Sequence, residues 1–211
     1  SAVRWMPDQS TLLCQLVASD AAPPEKPAAP AGPVIQESSG LKAPVRTYQD
    51  LLTSEHDADL FEYYATSQLA IVDPATNQVR KVGTAGQFSS VSPSPDGRFL
   101  LTTEINRPYS FLVTYWAFPK TITVRDATTG DSVHVVARLP LADKVPIGGV
   151  LEGPRSVSWI PTKPRTLMWA EALDGGDPKA EVEHRDRLMQ SDPLTRKPPV
   201  EWLRLQHRYS S

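Results

Sequence analysis

Apolar and polar positions alternate in short runs along this chain, and the runs recur. Phe88 to Val91 and Arg98 to Thr103 are two such runs, and they flank Ser94-Pro95-Asp96-Gly97. Alternation with period two predicts half-buried strands. Proline presets φ for a turn and Asp-Gly permits tight reversal, so the pair reads as a β-hairpin. The arrangement occurs twice more. Trp5-Met6-Pro7-Asp8 precedes the β-rich run Thr11 to Val17, and Trp159-Ile160-Pro161 precedes Arg165 to Ala170.

A second repeat follows the first. Segments 70–82, 123–136 and 188–205 share a strand, Asp-x-x-Thr, a polar turn and another strand. Asp73, Asp126 and Asp192 each end a strand, where a carboxylate can cap the turn by accepting from nearby backbone N–H groups. Each unit thus holds two hairpins, hence four strands. Three units, about 1–83, 84–149 and 150–211, fill the chain. Tandem four-stranded antiparallel units predict an all-β fold, a partial β-propeller of about three blades. The units exceed the roughly 40–50 residues of simple blades. Insertions at 18–66, 105–121 and 171–186 account for the excess.

The insertions differ in character. Residues 18–50 are rich in Ala and Pro and predict an extended, largely polyproline loop. Leu51, Leu52, Leu60, Phe61 and Tyr64 then recur at roughly helical spacing behind Ser54, a candidate N-cap. One or two short helices are expected between 47 and 65, separating the second and third strands of the first unit. The insertion at 105–121 gathers Tyr109, Phe111, Tyr115, Trp116 and Phe118, which suits a core edge, a cavity or a domain interface. The insertion at 171–186 is turn-rich and acidic. Glu171, Asp174, Asp177 and Asp186 could in principle bind Ca²⁺, but their spacing fits no EF-hand loop and a solvated turn is expected.

Composition narrows the chemistry. Proline is 21 of 211 residues, about twice the roughly 5% average. Net charge is −2 and no Lys/Arg block stands out, so a nucleic-acid partner is not expected. No apolar run reaches the roughly 18 residues of a membrane span. Cys14 is the one cysteine and reads as a small core residue, leaving no internal disulfide or cysteine-based metal site. His56, His134, His184 and His207 are scattered, without ligand spacing. His184-Arg185-Asp186-Arg187 reads as a solvated strand start, and Gly148-Gly149 and Gly175-Gly176 as turns. No G-x-S-x-G elbow and no phosphate loop occurs. No catalytic residue, cofactor or metal site is therefore expected in this segment. The start at Ser1 and the terminal "LQHRYSS", which reads as the opening of another strand, suggest a piece of a longer polypeptide.

Several long motifs carry a resemblance: "VRWMPD", "GPVIQESSGLKAPVRTYQDLL", "FEYYATSQLAIVD", "FSSVSPSPDGRFLLTTEINRPYSFLV" and "PIGGVLEGPRSVSWIPTKPRTLMWAEALDGGDPK". Over essentially its whole length the chain resembles the prolyl oligopeptidase family of serine peptidases, in its glutamyl endopeptidase branch. The resemblance implies a propeller that caps and restricts access to a C-terminal α/β-hydrolase domain of the same polypeptide. That domain would carry a Ser-Asp-His triad acting on peptide substrates. Every triad residue would lie C-terminal to this segment, so the segment alone is expected to be inactive. Three blades are too few for the ring of about seven or eight that the resemblance implies. It also implies a periplasmic or secreted location. A peptidase preferring Glu needs a cation for the acidic side chain, and arginine suits that role. Arg46 and Arg107, in the first two insertions, are the candidate substrate-binding residues. The competing reading is a stand-alone propeller-like scaffold that binds a protein or peptide.

Overall fold

The computed structural model describes residues 3–18, 20–27, 48–195 and 197–210. Among these residues twelve strands form three four-stranded antiparallel sheets. The first holds β1 (Val3–Trp5), β2 (Leu12–Val17), β3 (Ser67–Asp73) and β4 (Gln78–Lys81). The second holds β5 (Phe88–Pro93), β6 (Phe99–Ile105), β7 (Lys120–Asp126) and β8 (Ser132–Leu139). The third holds β9 (Arg155–Trp159), β10 (Leu167–Ala172), β11 (Asp186–Ser191) and β12 (Val200–Leu205). Within each sheet the strands lie side by side in chain order. Among the described residues one α-helix, α1 (Glu55–Ala65), lies between β2 and β3. The expected all-β class, with three four-stranded sheets and one short helical excursion, is what the chain adopts.

The repeated turns are equivalent bond for bond. Met6, Ser94 and Ile160 donate their N–H groups to Thr11, Phe99 and Thr166, and their carbonyls accept from Gln9, Gly97 and Lys163. Gln9 and Gly97 take the left-handed conformation at the same turn position, with φ of 56° and 71°, which is why glycine suits it. In the second hairpins, Asp73 accepts from the N–H of Ala75, Asp126 from those of Thr128 and Thr129, and Asp192 from that of Leu194, at 2.7–3.0 Å. The capping aspartates expected from the repeat are in place. Asp8 plays the same part in the first turn. Bonds from the Thr11 hydroxyl and from the N–H groups of Ser10 and Thr11 pull its pKa down to about 2.

Alternation decides how the sheets pack. Along β6, Leu100 joins Met6, Leu13, Leu69, Ile71, Val82 and Phe88 in a core between the first two sheets. Its neighbours Phe99 and Leu101 point the other way, into a core with Ile122, Val124, Trp159, Leu167, Trp169 and Met189. The second sheet is therefore buried on both faces, as a middle blade must be. Removing the Leu100 side chain would cost about 2–5 kcal/mol, the usual toll for a leucine cavity. Cys14 is buried opposite Ala70, as a small core residue. Polar contacts also cross the seams. Trp159 Nε1 donates to Ser92 O at 3.2 Å, and Arg80 reaches Thr128 O at 2.6 Å. Gly83 and Gly130 touch along their backbones, and a Cβ on Gly130 would fall 2.2 Å from Gly83 N. The terminal segment departs from expectation. β12 ends at Leu205 and residues 206–210 form no strand; they fold back as an arm whose anchor is described below.

Candidate functional site

All three insertions connect the second and third strands of their sheets. The first two meet directly. Ser54 caps α1 by accepting from Asp57 N at 3.2 Å, and the Asp57 carboxylate reaches back to Thr53 N and Oγ1 at 2.8 and 2.5 Å. The Thr53 hydroxyl, followed by its N–H, lowers the pKa of Asp57. This reciprocal cap fixes where the helix begins. The helix presents Asp59, Phe61 and Glu62 to the insertion between β6 and β7.

The aromatic insertion packs on that helix. Phe61 meets Tyr109 and Phe118 edge-on at 5.1 and 5.7 Å, and Tyr109 stacks on Phe118 at 5.3 Å. Arg107 closes the junction. Its Nε donates to Glu62 Oε2 at 2.7 Å and its Nη2 to Asp59 Oδ1 at 3.0 Å. The guanidinium lies 4.8 Å from the Tyr109 ring centroid. Tyr109 Oη donates to Glu62 Oε2 at 3.4 Å and accepts from Gln87 Nε2. Burial is the leading cause of the raised Tyr109 pKa, so the phenol stays protonated. One cation therefore faces two carboxylates, and the cluster carries a net charge of −1. Of the two arginines expected to bind substrate, Arg107 is engaged within the chain, and Arg46 lies outside the described residues.

Lys120 stands at the neck of the same insertion. It opens β7 and pairs with Ile105 across the ladder, one step from the Asn106 N–Pro119 O bond that closes the neck. Its ammonium donates to Trp116 O at 2.8 Å and sits 5.7 Å from the Trp116 ring. Among the described residues no carboxylate pairs with it, and burial lowers its pKa. Trp116, in a 3-10 turn over Tyr115–Ala117, remains 66% exposed.

The third insertion is only in part the solvated acidic turn expected: Asp177, Lys179, Glu181 and Glu183 are exposed. Asp174 and Asp186 are buried among three arginines. Arg208 bonds Asp174 at 2.6 Å and Asp186 at 2.8 Å, Arg185 bonds Asp174 at 2.9 Å, and Arg155 lies 2.7 Å from Asp186. Tyr209 N donates to Asp186 Oδ2 at 2.7 Å, which anchors the terminal arm. Burial pushes both carboxyls up. For Asp186 the Tyr209 N–H and the arginines outweigh it, and for Asp174 Arg208 and Gly176 N do, so both end below the usual range. Glu171 is taken by Arg187 and by Trp169 Nε1. Of the four carboxylates considered for Ca²⁺, Asp174 and Asp186 share Arg208, Glu171 is held by Arg187 and Asp177 accepts from Lys179 N, and no described group of three or more His, Cys, Asp or Glu side chains is arranged to hold a metal. The glycine pairs meet: Val150 N donates to Gly176 O, and a Cβ on Gly149 would fall 2.7 Å from that oxygen.

Sequence reasoning singled out Arg107 but missed its partners. Asp59 and Glu62 stand three apart, on one helical face, which was a usable signal. Lys120 carried none, because its isolation shows only when the neighbouring carboxylates are seen to be occupied elsewhere.

The fold and its junctions define a run of propeller-type sheets elaborated by insertions between their second and third strands. No family model matches the chain. It is 40% identical over 212 aligned residues to a probable chloroplastic glutamyl endopeptidase of Oryza sativa subsp. japonica, covering 98% of this chain and 22% of the relative. The corresponding protein of Arabidopsis thaliana is 41% identical over 210 residues, covering 97% and 22%. The chain is homologous to these glutamyl endopeptidases over nearly its whole length, as its motifs suggested, and spans about a fifth of theirs. A solved acylaminoacyl peptidase from Pyrococcus horikoshii covers 97% of this chain with 25% of its own, at a TM-score of 0.49 and 12% identity; so distant a likeness bears on nothing further. Both curated relatives are described as chloroplastic, which overturns the periplasmic or secreted location implied by the resemblance. Sheet-forming residues are selected by packing, whereas a compartment address is read by receptors.

Proposed function

We propose that this chain is the access-restricting propeller segment of a serine peptidase that cleaves peptide bonds next to acidic residues. Its catalytic triad would lie in a companion α/β-hydrolase domain of the same polypeptide. One observation carries the reading: 98% of the chain matches glutamyl endopeptidases, yet only 22% of their length is used. Residues 1–83, 84–149 and 150–211 are three consecutive blades on this reading, and their insertions restrict which peptides reach the companion domain. A wall of blades excludes folded proteins and admits flexible segments, which concentrates selection at the entrance rather than at the bond cleaved.

Arg107 serves this function by holding the first two insertions together. In the full-length polypeptide Arg107→Ala is expected to lower kcat/KM equally on Glu-containing and neutral peptides; a selective loss on Glu peptides would assign it direct contact with substrate. Fluorophosphonate labelling tests the reading as a whole. Label is expected on the full-length polypeptide and not on the 211-residue, 23.2 kDa chain. Label on the shorter chain would place an activated serine within it and overturn the assignment.

A further inference from the structure

Two cations flank the neck of the 106–119 insertion, and they are not in the same state. Arg107 is shared by Asp59 and Glu62. Its charge is already exceeded, so an incoming carboxylate meets a site of net negative sign. Among the described residues Lys120 holds a single hydrogen bond, to Trp116 O, and no carboxylate pairs with it. An ammonium has three protons to donate, and this one has donor capacity left unmet. A half-buried ammonium without a counter-ion is unusual, because desolvating a charge is costly unless a partner repays it. Its depressed pKa reflects that cost.

The surroundings specify the missing partner. The Trp116 ring lies beside the ammonium and is 66% exposed, and Tyr115 stands against it at 4.3 Å. An aromatic wall beside an uncompensated cation suits a ligand with an aliphatic stem and an anionic tip. We propose that Lys120, walled by Trp116, binds the carboxylate of an acidic peptide side chain and gives this segment its selectivity for negative charge. The assignment rests on the proposed peptide-handling role and names the recognising residue within it. A carboxylate at this point would replace the hydration the ammonium has lost and form a charge-assisted hydrogen bond, roughly twice as strong as a neutral one. A glutamine side chain of the same shape offers an acceptor but no charge.

Equilibrium binding to the full-length polypeptide tests this. The probes are two reduced-amide peptides, which cannot be hydrolysed, identical except for Glu or Gln at one position. The wild type is expected to favour the Glu peptide about tenfold, the order of one charge-assisted bond. Lys120→Met should abolish that preference by weakening the Glu peptide alone. Lys120→Arg should keep most of it, and Arg107→Met should weaken both peptides alike. If Lys120→Met lowers the melting temperature, Lys120→Gln, which can retain the bond to Trp116 O, takes its place. A Glu preference surviving in both neutral variants, or absent from the wild type, overturns the proposal. Its failure is separable from failure of the peptidase reading, because binding preference is measured without turnover, whereas that reading fails if the polypeptide takes no fluorophosphonate label.

Discussion

Two ion networks sit on the insertions of this chain, with nearly the same bond lengths and very different surroundings. Where the first two insertions meet, Arg107 bonds Asp59 and Glu62 at 3.0 and 2.7 Å with all three side chains about half exposed, between 46% and 54%. On the third insertion, Asp174 and Asp186 bond arginines at 2.6–2.9 Å with no carboxylate surface exposed. Distance does not rank these networks; solvent does. Water screens the first and competes for each of its bonds. In the second, both carboxylates have left water and the arginines keep only 14–29% of their side-chain surface exposed, so the loss of one partner leaves a charge poorly compensated. The exposed junction can therefore part at little cost. The buried one ties β9, β11 and the terminal arm into one body through Arg155, Asp186 and Arg208 with Tyr209.

The sharpest way to break this contrast is to remove the buried hub. Asp186→Ala leaves Arg155 without its counter-ion and Arg208 with Asp174 alone, and is expected to cost about 3–5 kcal/mol in denaturant unfolding, the usual loss when a buried pair is broken. A loss under about 1 kcal/mol would put Asp186 in the same class as an exposed pair. Arg208→Met should cost less, about 2 kcal/mol, because Asp174 keeps Arg185 and Asp186 keeps Arg155. Acid titration gives an independent reading. Asp174 and Asp186 have folded pKa values below the usual range, so their contribution is fully present above the unfolded value of about 3.9 and is lost as pH falls through the lower, folded values. Stability should drop steeply below about pH 4, and Asp174→Asn should flatten that slope at the expense of stability at neutral pH. A slope unchanged by Asp174→Asn would show that other carboxylates govern acid unfolding.

The same contrast shows what could be read from the chain. The repeated hairpins were legible because their causes are local. Asp73, Asp126 and Asp192 cap turns two or three residues away, and Ser54 caps a helix beginning at the next residue. The doubly buried second sheet was implicit in the apolar run Phe99-Leu100-Leu101. The networks were not legible, because their partners are distant in sequence. Arg107 and Glu62 are 45 residues apart, and Arg208 and Asp174 are 34 apart. His184-Arg185-Asp186-Arg187 looked solvated because nothing in those four residues announces an arm from 206–210 that bonds Arg185 and Asp186. The arm in turn looked like a strand because its composition permits one; instead its Tyr209 N–H and Arg208 side chain bond Asp186. Alternating polarity reports which face is buried, but not which charges share the burial.

The smallest expected effect is the most informative about the proposed entrance. Arg107→Ala removes both bonds to α1 at once, yet exposed pairs are worth about 0–1 kcal/mol even when well aligned. Denaturant unfolding should therefore register a loss within about 1 kcal/mol. Raising salt to 1 M, where the Debye length falls to about 3 Å, should shrink even that difference between wild type and variant, while leaving the deficit of Asp186→Ala nearly intact. A salt-insensitive loss above about 2 kcal/mol would instead mean that Arg107 works chiefly through its packing on Tyr109, a contribution that salt does not screen. The junction would then be a rigid part of the blades, and selectivity at the entrance would have to come from groups held still rather than from insertions that part.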